Sequence, residues 1–394
     1  MRPPRRWPLH PPPGPLESLS SWARRLARLY GMQVPELLGH NLGLIDLTIP
    51  ANLDRDPPLA MLAALAERTG VDLAQVRATT LAGWVPWLVD SLTVEPHQAQ
   101  DVFDSYVHAN PVLLEPGATS RHLVHRWKTW RSPWLSKSGL DRVCPLCVHD
   151  PDRGRALMWQ LPLMLSCIEH GYQLENRTDL EVALALGRPP PMQRVEEPVA
   201  TMDRYTYEAL TTGEVVLPGR TVHAGAWFRL LRSLLDELSL ATTTLNFHGR
   251  TTLEFVWRTT GGEQRAGLAI WQPFEQLEWP AQETMLRAAA IALALVADGR
   301  ISARGVFGPA LHQAAHQPVY DGDRPPPDIN AMMDEVIAEA RRDRATARQL
   351  LTVLTFGCRS LLRFEDERAY LLRLGVPAEF IPGARELGRL DLLS

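Results

Sequence analysis

The sequence predicts a mainly α, multi-domain helical protein with helix-turn-helix units and one small cysteine-rich module. Three observations carry that expectation. Apolar residues recur at helical spacing along most of the chain, and glycines and prolines punctuate those runs where helices would stop and start. Three of the four cysteines crowd into one short stretch beside a histidine. At 394 residues the chain exceeds one ordinary core, so two or three folding units are expected.

Composition narrows the class. Hydrophobic residues make up 45% and charged residues 22%, the balance of a globular protein. A formal net charge of -4 argues against a surface that grips nucleic acid all over, because such binding rests on many phosphate-neutralising cations. Lysine is nearly absent (Lys128 and Lys137), so arginine, whose planar fork suits bidentate contacts, carries the positive charge. The start is basic and proline-rich but lacks the apolar stretch of a secretory signal. The most apolar run, Ala288 to Ala297, falls far short of the roughly 20 residues a membrane span requires. The expectation is a cytoplasmic protein without membrane contact.

Residues 1–16 read as a Pro/Arg-rich arm. Ser18 can cap a first helix in which Leu19, Trp22, Ala23, Leu26, Ala27 and Tyr30 share one face; Gly31 ends it and Pro35 opens the next. Pro57 and Pro58 open a second unit through Leu62, Leu65 and Ala66; Gly70 closes that helix and Asp72 caps the following one. Aligned, the units give Ala27-x3-Gly31-x5-Leu37 and Ala66-x3-Gly70-x5-Val76, the spacing of a helix-turn-helix. The small residue admits the neighbouring helix, the glycine takes positive φ, and the aliphatic fills the angle between the helices. A weaker third copy is Leu371-x3-Gly375-x5-Ile381, with Pro377 early in its second helix. Helical faces also run through Trp227 to Leu238 and Leu286 to Ala297. Phe255 to Arg258 with Gly261-Gly262 read as a small hairpin. Pro325 to Pro327 mark a linker, after which Asp328 caps a helix through Met332, Met333, Val336, Ile337 and Ala340. Those methionines are core residues by default.

The cysteines carry the chemistry. Cys144-Pro-Leu-Cys147, nineteen residues, then Cys167-Ile-Glu-His170 is the spacing of a tetrahedral Cys3His zinc site. A two-residue spacer lets both ligands of a knuckle reach one ion. Four filled positions leave no place for a water nucleophile, so the reading is structural Zn2+, one per chain, worth ~10 kcal/mol or more to the local fold. The alternatives are a redox Cys-x-x-Cys pair or small buried apolar residues, and His149 competes with His170 as fourth ligand. Cys358 stands alone and reads as buried. The implied organisation is an arm at 1–16, a tandem helix-turn-helix-like domain at 17–110, a zinc-binding module at 111–185, a central helical domain at 195–322 and a C-terminal helix-turn-helix-like region at 328–394.

No phosphate-binding Gly-Lys loop, His-Glu-x-x-His or Gly-x-Ser-x-Gly occurs, so no catalytic residue is assigned and no enzyme is expected. The residues singled out for nucleic-acid or partner contact are Arg24, Arg25 and Arg28 on the first helix, Arg77 on the second recognition-type helix, and Arg126 and Lys128. The last two lie among His122, His125, Trp127, Trp130, Arg131 and Trp134, where bases interleave with aromatics. Arg2, Arg5 and Arg6 of the arm join the candidates. The helix Pro35 to Asn41 carries no arginine, which favours protein docking for at least one helix-turn-helix.

The string Glu17-Ser-Leu-Ser-Ser-Trp22-Ala-Arg-Arg25-Leu-Ala27 resembles the opening of the TniQ family. Cys144-Pro-Leu-Cys147, Trp159-Gln-Leu-Pro162 and Cys167-Ile-Glu-His170-Gly171 look like that family's zinc signature. The likeness covers roughly residues 8 to 180. It implies a non-catalytic target-selection adaptor of a transposon. Such a protein links a DNA target, or an RNA-guided complex bound there, to an AAA+ ATPase of the TniB/TnsC type and through it to the transposase, in some members as a homodimer. The chain departs from the family in one respect: with only Cys358 beyond the first site, it lacks a second cysteine-rich element. The competing readings are a zinc-containing helix-turn-helix transcription regulator and, less favoured, a metal-dependent nuclease.

Overall fold

A computed structural model describes residues 6–42, 52–85, 87–89, 92, 111–116, 134–136, 139–150, 153–269, 271–312, 329–355 and 361–388. Helix α1 (Leu19–Leu29) begins where the Ser18 hydroxyl accepts the Ser21 N–H, and it buries Leu19, Trp22, Ala23, Leu26 and Ala27. Gly31, at φ 64°, turns the chain into α2 (Val34–Glu36), which runs on into a π turn over Leu37–Asn41. Helix α3 (Leu59–Thr69) ends at Gly70, φ 72°, and Asp72 caps α4 (Leu73–Ala78) by accepting the Ala74 N–H at 2.8 Å. A residue with a Cβ would be strained at either glycine. Trp22, Leu26, Ala27, Leu37, Met61, Leu65 and Val76 close into one apolar cluster. Trp22 is fully buried, worth about 3 kcal/mol, and keeps its indole N–H satisfied on the Pro11 carbonyl at 2.9 Å.

The proline-rich arm packs on this cluster from residue 6 onward. Trp7 is buried in it and donates its N–H to the Arg68 carbonyl at 2.9 Å, while the Tyr30 hydroxyl bonds both the N–H and the C=O of Leu9.

The largest core is helical. Helices α5 (Arg177–Ala185), α6 (Glu197–Thr212), α7 (Ala224–Leu238), α8 (Phe247–Thr260) and α9 (Trp279–Ala297) follow in order, and α9 packs against α6, α7 and α8. Two short antiparallel ribbons accompany them. Strand β1 (Arg142–Val143) pairs with β2 (Glu175–Asn176), and β3 (Glu214–Val216) pairs with β4 (Thr221–His223). The hairpin expected at residues 255–262 is instead the last turn of α8. Asn246 caps that helix, Leu253, Val256 and Trp257 form its buried face, and Gly261 at φ 72° terminates it. Aromatic and β-branched residues imitated a strand there. The hairpin that does form is β3–β4, at Pro218-Gly219.

Charges are buried deep in this core. The Arg232 guanidinium donates to Glu275 at 2.6 and 2.9 Å and pairs with Asp236 one turn along α7. Glu275 also accepts the Trp134 N–H at 3.1 Å, and Glu237 accepts the N–H groups of Val112, Leu113 and Leu114.

After the short α10 (Gly308–Leu311) come α11 (Ile329–Ala340), α12 (Arg344–Leu354) and α13 (Leu361–Arg373), which share a third apolar cluster. Met333 packs against it part-buried. Gly375 takes φ 82° as its spacing requires, but the segment after it is a 3-10 turn over Ala378–Phe380 where an α-helix was expected. Pro377 starts that turn and buried Ile381 ends it. The 325–327 linker, the Asp328 cap and Cys358 lie outside the described residues. Among the described residues no helix is long and apolar enough to cross a membrane.

Candidate metal centre

The first knuckle leaves β1 and turns at Cys144-Pro-Leu-Cys147. The Cys144 carbonyl accepts the Val148 N–H at 3.1 Å, and a 3-10 turn over Cys147–His149 completes it. The second knuckle is the tip of a narrow loop. Leu174 donates to Leu165 at 2.8 Å, Cys167 to Tyr172 at 2.9 Å and Gly171 to Cys167 at 2.7 Å, with Gly171 at φ 68°. The β1–β2 pair holds the two knuckles face to face.

The ligand atoms of Cys144, Cys147, Cys167 and His170 all lie within 4.8 Å of one another. His170 Nδ1 stands 3.5 Å from Cys144 Sγ, 3.4 Å from Cys147 Sγ and 3.5 Å from Cys167 Sγ, and the Cys147 and Cys167 sulfurs are 3.8 Å apart. Zn–S bonds of about 2.3 Å and a Zn–N bond of about 2.0 Å, set at tetrahedral angles, require separations of about 3.8 Å between sulfurs and about 3.5 Å from sulfur to nitrogen. The cluster fits that cage and can hold a metal ion such as zinc. The three cysteines are buried and His170 half-buried, whereas His149 is exposed and outside the group. Hydrogen bonds from Cys144 and Cys147 pull the Cys167 thiol well below its ordinary range. Hydrogen bonds with Cys144 and Cys167, and burial, push Cys147 up. A divalent cation takes cysteine as thiolate, so binding at this cluster would displace the thiol protons.

Two buried charges lock this module to the helices. Arg142 donates to the carbonyls of Trp159 (3.0 Å), Leu161 (2.7 Å) and Met164 (2.9 Å), and its guanidinium stacks 4.1 Å above the ring of Trp279 on α9. Burial lowers its pKa to about 9. Asp203 of α6 accepts the N–H groups of Leu165 and Ser166 and the Ser166 hydroxyl, immediately before Cys167. Burial pushes Asp203 up to about 7 against those hydrogen bonds. Its folded pKa thus exceeds the unfolded value of about 3.9, so its contribution to stability is full below about pH 4 and is lost as the pH rises through 7. Asp203→Asn removes that dependence: the stability of the parent relative to the variant, from urea midpoints, is expected to be greater at pH 5 than at pH 7.5. An unchanged difference would mean that the group titrates alike in both states.

The opening and Trp159–Pro162 motifs form a seam between α1 and the module. Ser18 donates to the Arg155 carbonyl at 2.9 Å and Leu157 to the Leu16 carbonyl at 2.8 Å. Asp54 accepts from Ser20 (backbone and hydroxyl) and from the Gln160 side chain, each at 2.6 Å. Glu17 pairs with Arg25 at 2.7 Å.

Of the residues predicted to touch nucleic acid or a partner, Arg25 is thus committed inward, to Glu17 and the Pro12 carbonyl. Arg24 and Arg28 are exposed on α1 and line a notch beside the first knuckle; Arg77 is exposed on α4, away from it. Arg126 and Lys128 lie outside the described residues. Arg155 and Arg177, which complete the notch, were not singled out in the sequence, where neither sits on a basic run. Residues 8–174 match the TniQ family model. Comparisons with curated proteins and with solved structures return no match.

Proposed function

We propose, from the match of residues 8–174 to the TniQ family model, that the chain is a transposition accessory protein and works as a non-catalytic target-selection adaptor. In this reading it joins a target site, as DNA or as a DNA-bound RNA-guided complex, to an AAA+ ATPase of the TniB/TnsC type and thereby to the transposase. Cys144, Cys147, Cys167 and His170 hold Zn2+, which supplies a cross-link between the two knuckles and no reactivity. The division into 17–110, 111–185, 195–322 and 328–394 belongs to the same proposal.

One observation carries it. The residues of the family likeness converge on a single construction in which the opening helix is bonded to the loop between the knuckles, and the metal candidates form a closed set of four. A saturated, half-sheltered cage with a rigid helix alongside is equipment for holding surfaces in register. The test is co-purification of the full chain with an AAA+ ATPase of the TniB/TnsC type from the same genome, with and without nucleotide and DNA. A stable complex is expected. Absence of association under every condition would remove the adaptor reading and leave the transcription regulator as the better one.

A further inference from the structure

A notch of about 210 Å3 opens between α1, the first knuckle and the start of α5. Arg24, Arg28, Arg155 and Arg177 line it, against Asp150 and Glu181. Part of this charge is answered internally, since Arg155 pairs with Asp141 and Arg177 with Glu181 at 2.6 Å. One cation is left over. Arg155 also lies 3.8 Å from Asp54, whereas among the described residues no carboxylate lies within ion-pair distance of Arg24. Desolvation and then the nearby charges of Arg177 and Arg155 lower the pKa of Arg24, so the cations crowd one another.

We propose that this notch binds a backbone phosphate of a nucleic-acid strand; the proposal rests on the adaptor reading. The donors arrive from three separate elements around a concavity, which suits the oxygens of a tetrahedral anion pointing several ways. A planar carboxylate is served by one arginine fork. Arg24 and Arg28 lie one turn apart, about 6 Å along α1, so the positive wall of the notch runs along that helix. The chain's overall acidity is no objection, because a contact of this kind is local.

The test measures binding of the full chain to a labelled short duplex DNA and to a single-stranded RNA of equal length, across a salt series. Arg24 is exposed and bonds no other side chain, so Arg24→Ala and Arg24→Glu should melt as the parent does. Arg24→Glu is expected to weaken binding by about tenfold or more, and Arg24→Ala to reduce the slope of log affinity on log salt by about one, both irrespective of sequence. Which of DNA and RNA responds identifies the strand. Unchanged affinity of Arg24→Glu for both, or a parent that binds neither, overturns the site. So does an effect confined to an acidic polypeptide such as polyglutamate. ATPase association measured on the same proteins separates the two readings. If the parent fails to associate while Arg24→Glu still loses nucleic acid, the phosphate site stands and the adaptor falls.

Discussion

Cys167→Ser chains are expected to carry less than one zinc per chain and to lose helical signal far below the parent's melting temperature. The size of the effect follows from where the cage sits. Structural zinc contributes ~10 kcal/mol in small modules, and an ordinary domain has only about 5–15 kcal/mol in total. Cys144, Cys147 and Cys167 belong to the same apolar cluster as Trp227, Leu231, Leu286 and Leu293. Arg142 and Asp203 add polar bonds across that boundary. Loss of the metal should therefore register in the circular dichroism of α6 to α9 and not only near the knuckles. Metal analysis paired with a thermal melt decides the matter. If Cys144→Ser and Cys167→Ser both retain one zinc, the four residues are not its ligands.

Arg232→Met should be the most damaging single change away from the cysteines, lowering stability by about 3–5 kcal/mol. Methionine fills much of the volume, so the loss is electrostatic. It strands Glu275 and Asp236, which are both buried and face one guanidinium. Burial already pushes Asp236 up to about 6 with that cation present. Removing both sides, as in Arg232→Met with Asp236→Leu and Glu275→Leu, is expected to recover much of the deficit, because two buried carboxylates without their cation cost more than an apolar patch. Urea unfolding of the parent and both variants measures this. A single variant within about 1 kcal/mol of the parent would show that water or a neighbour replaces the cation.

What could be read from the sequence divides along a physical line. Elements made by short-range rules were legible. Trp22 and Leu26 announce the buried face of α1, Gly31 and Gly70 mark turns only a residue tolerant of positive φ can make, and Cys-x2-Cys forces its own knuckle. Choosing His170 over His149 was not decidable locally, since both sit close to a cysteine. The loop from Leu165 to Leu174 chooses, by presenting Nδ1 to three sulfurs. The polar joints were invisible for the same reason. Asp54 meets Gln160, Glu237 meets Leu113, and Arg142 meets Trp279, pairs far apart in sequence that leave no periodic trace. Arg25 shows the converse. On its helix it looks like a free cation, and only the fold reveals Glu17 behind it.

The seam between α1 and the loop of residues 155–160 has a mechanical meaning. Greasy faces slide past one another with little penalty, but three direct bonds (Ser18 to the Arg155 carbonyl, Arg155 N–H to the Ser21 hydroxyl, Leu157 to the Leu16 carbonyl) and the Asp54 carboxylate bridging Ser20 and Gln160 favour one registry. A tug on the first helix therefore arrives at the cysteine loop as torque on a stiff lever, not as slack taken up by soft packing.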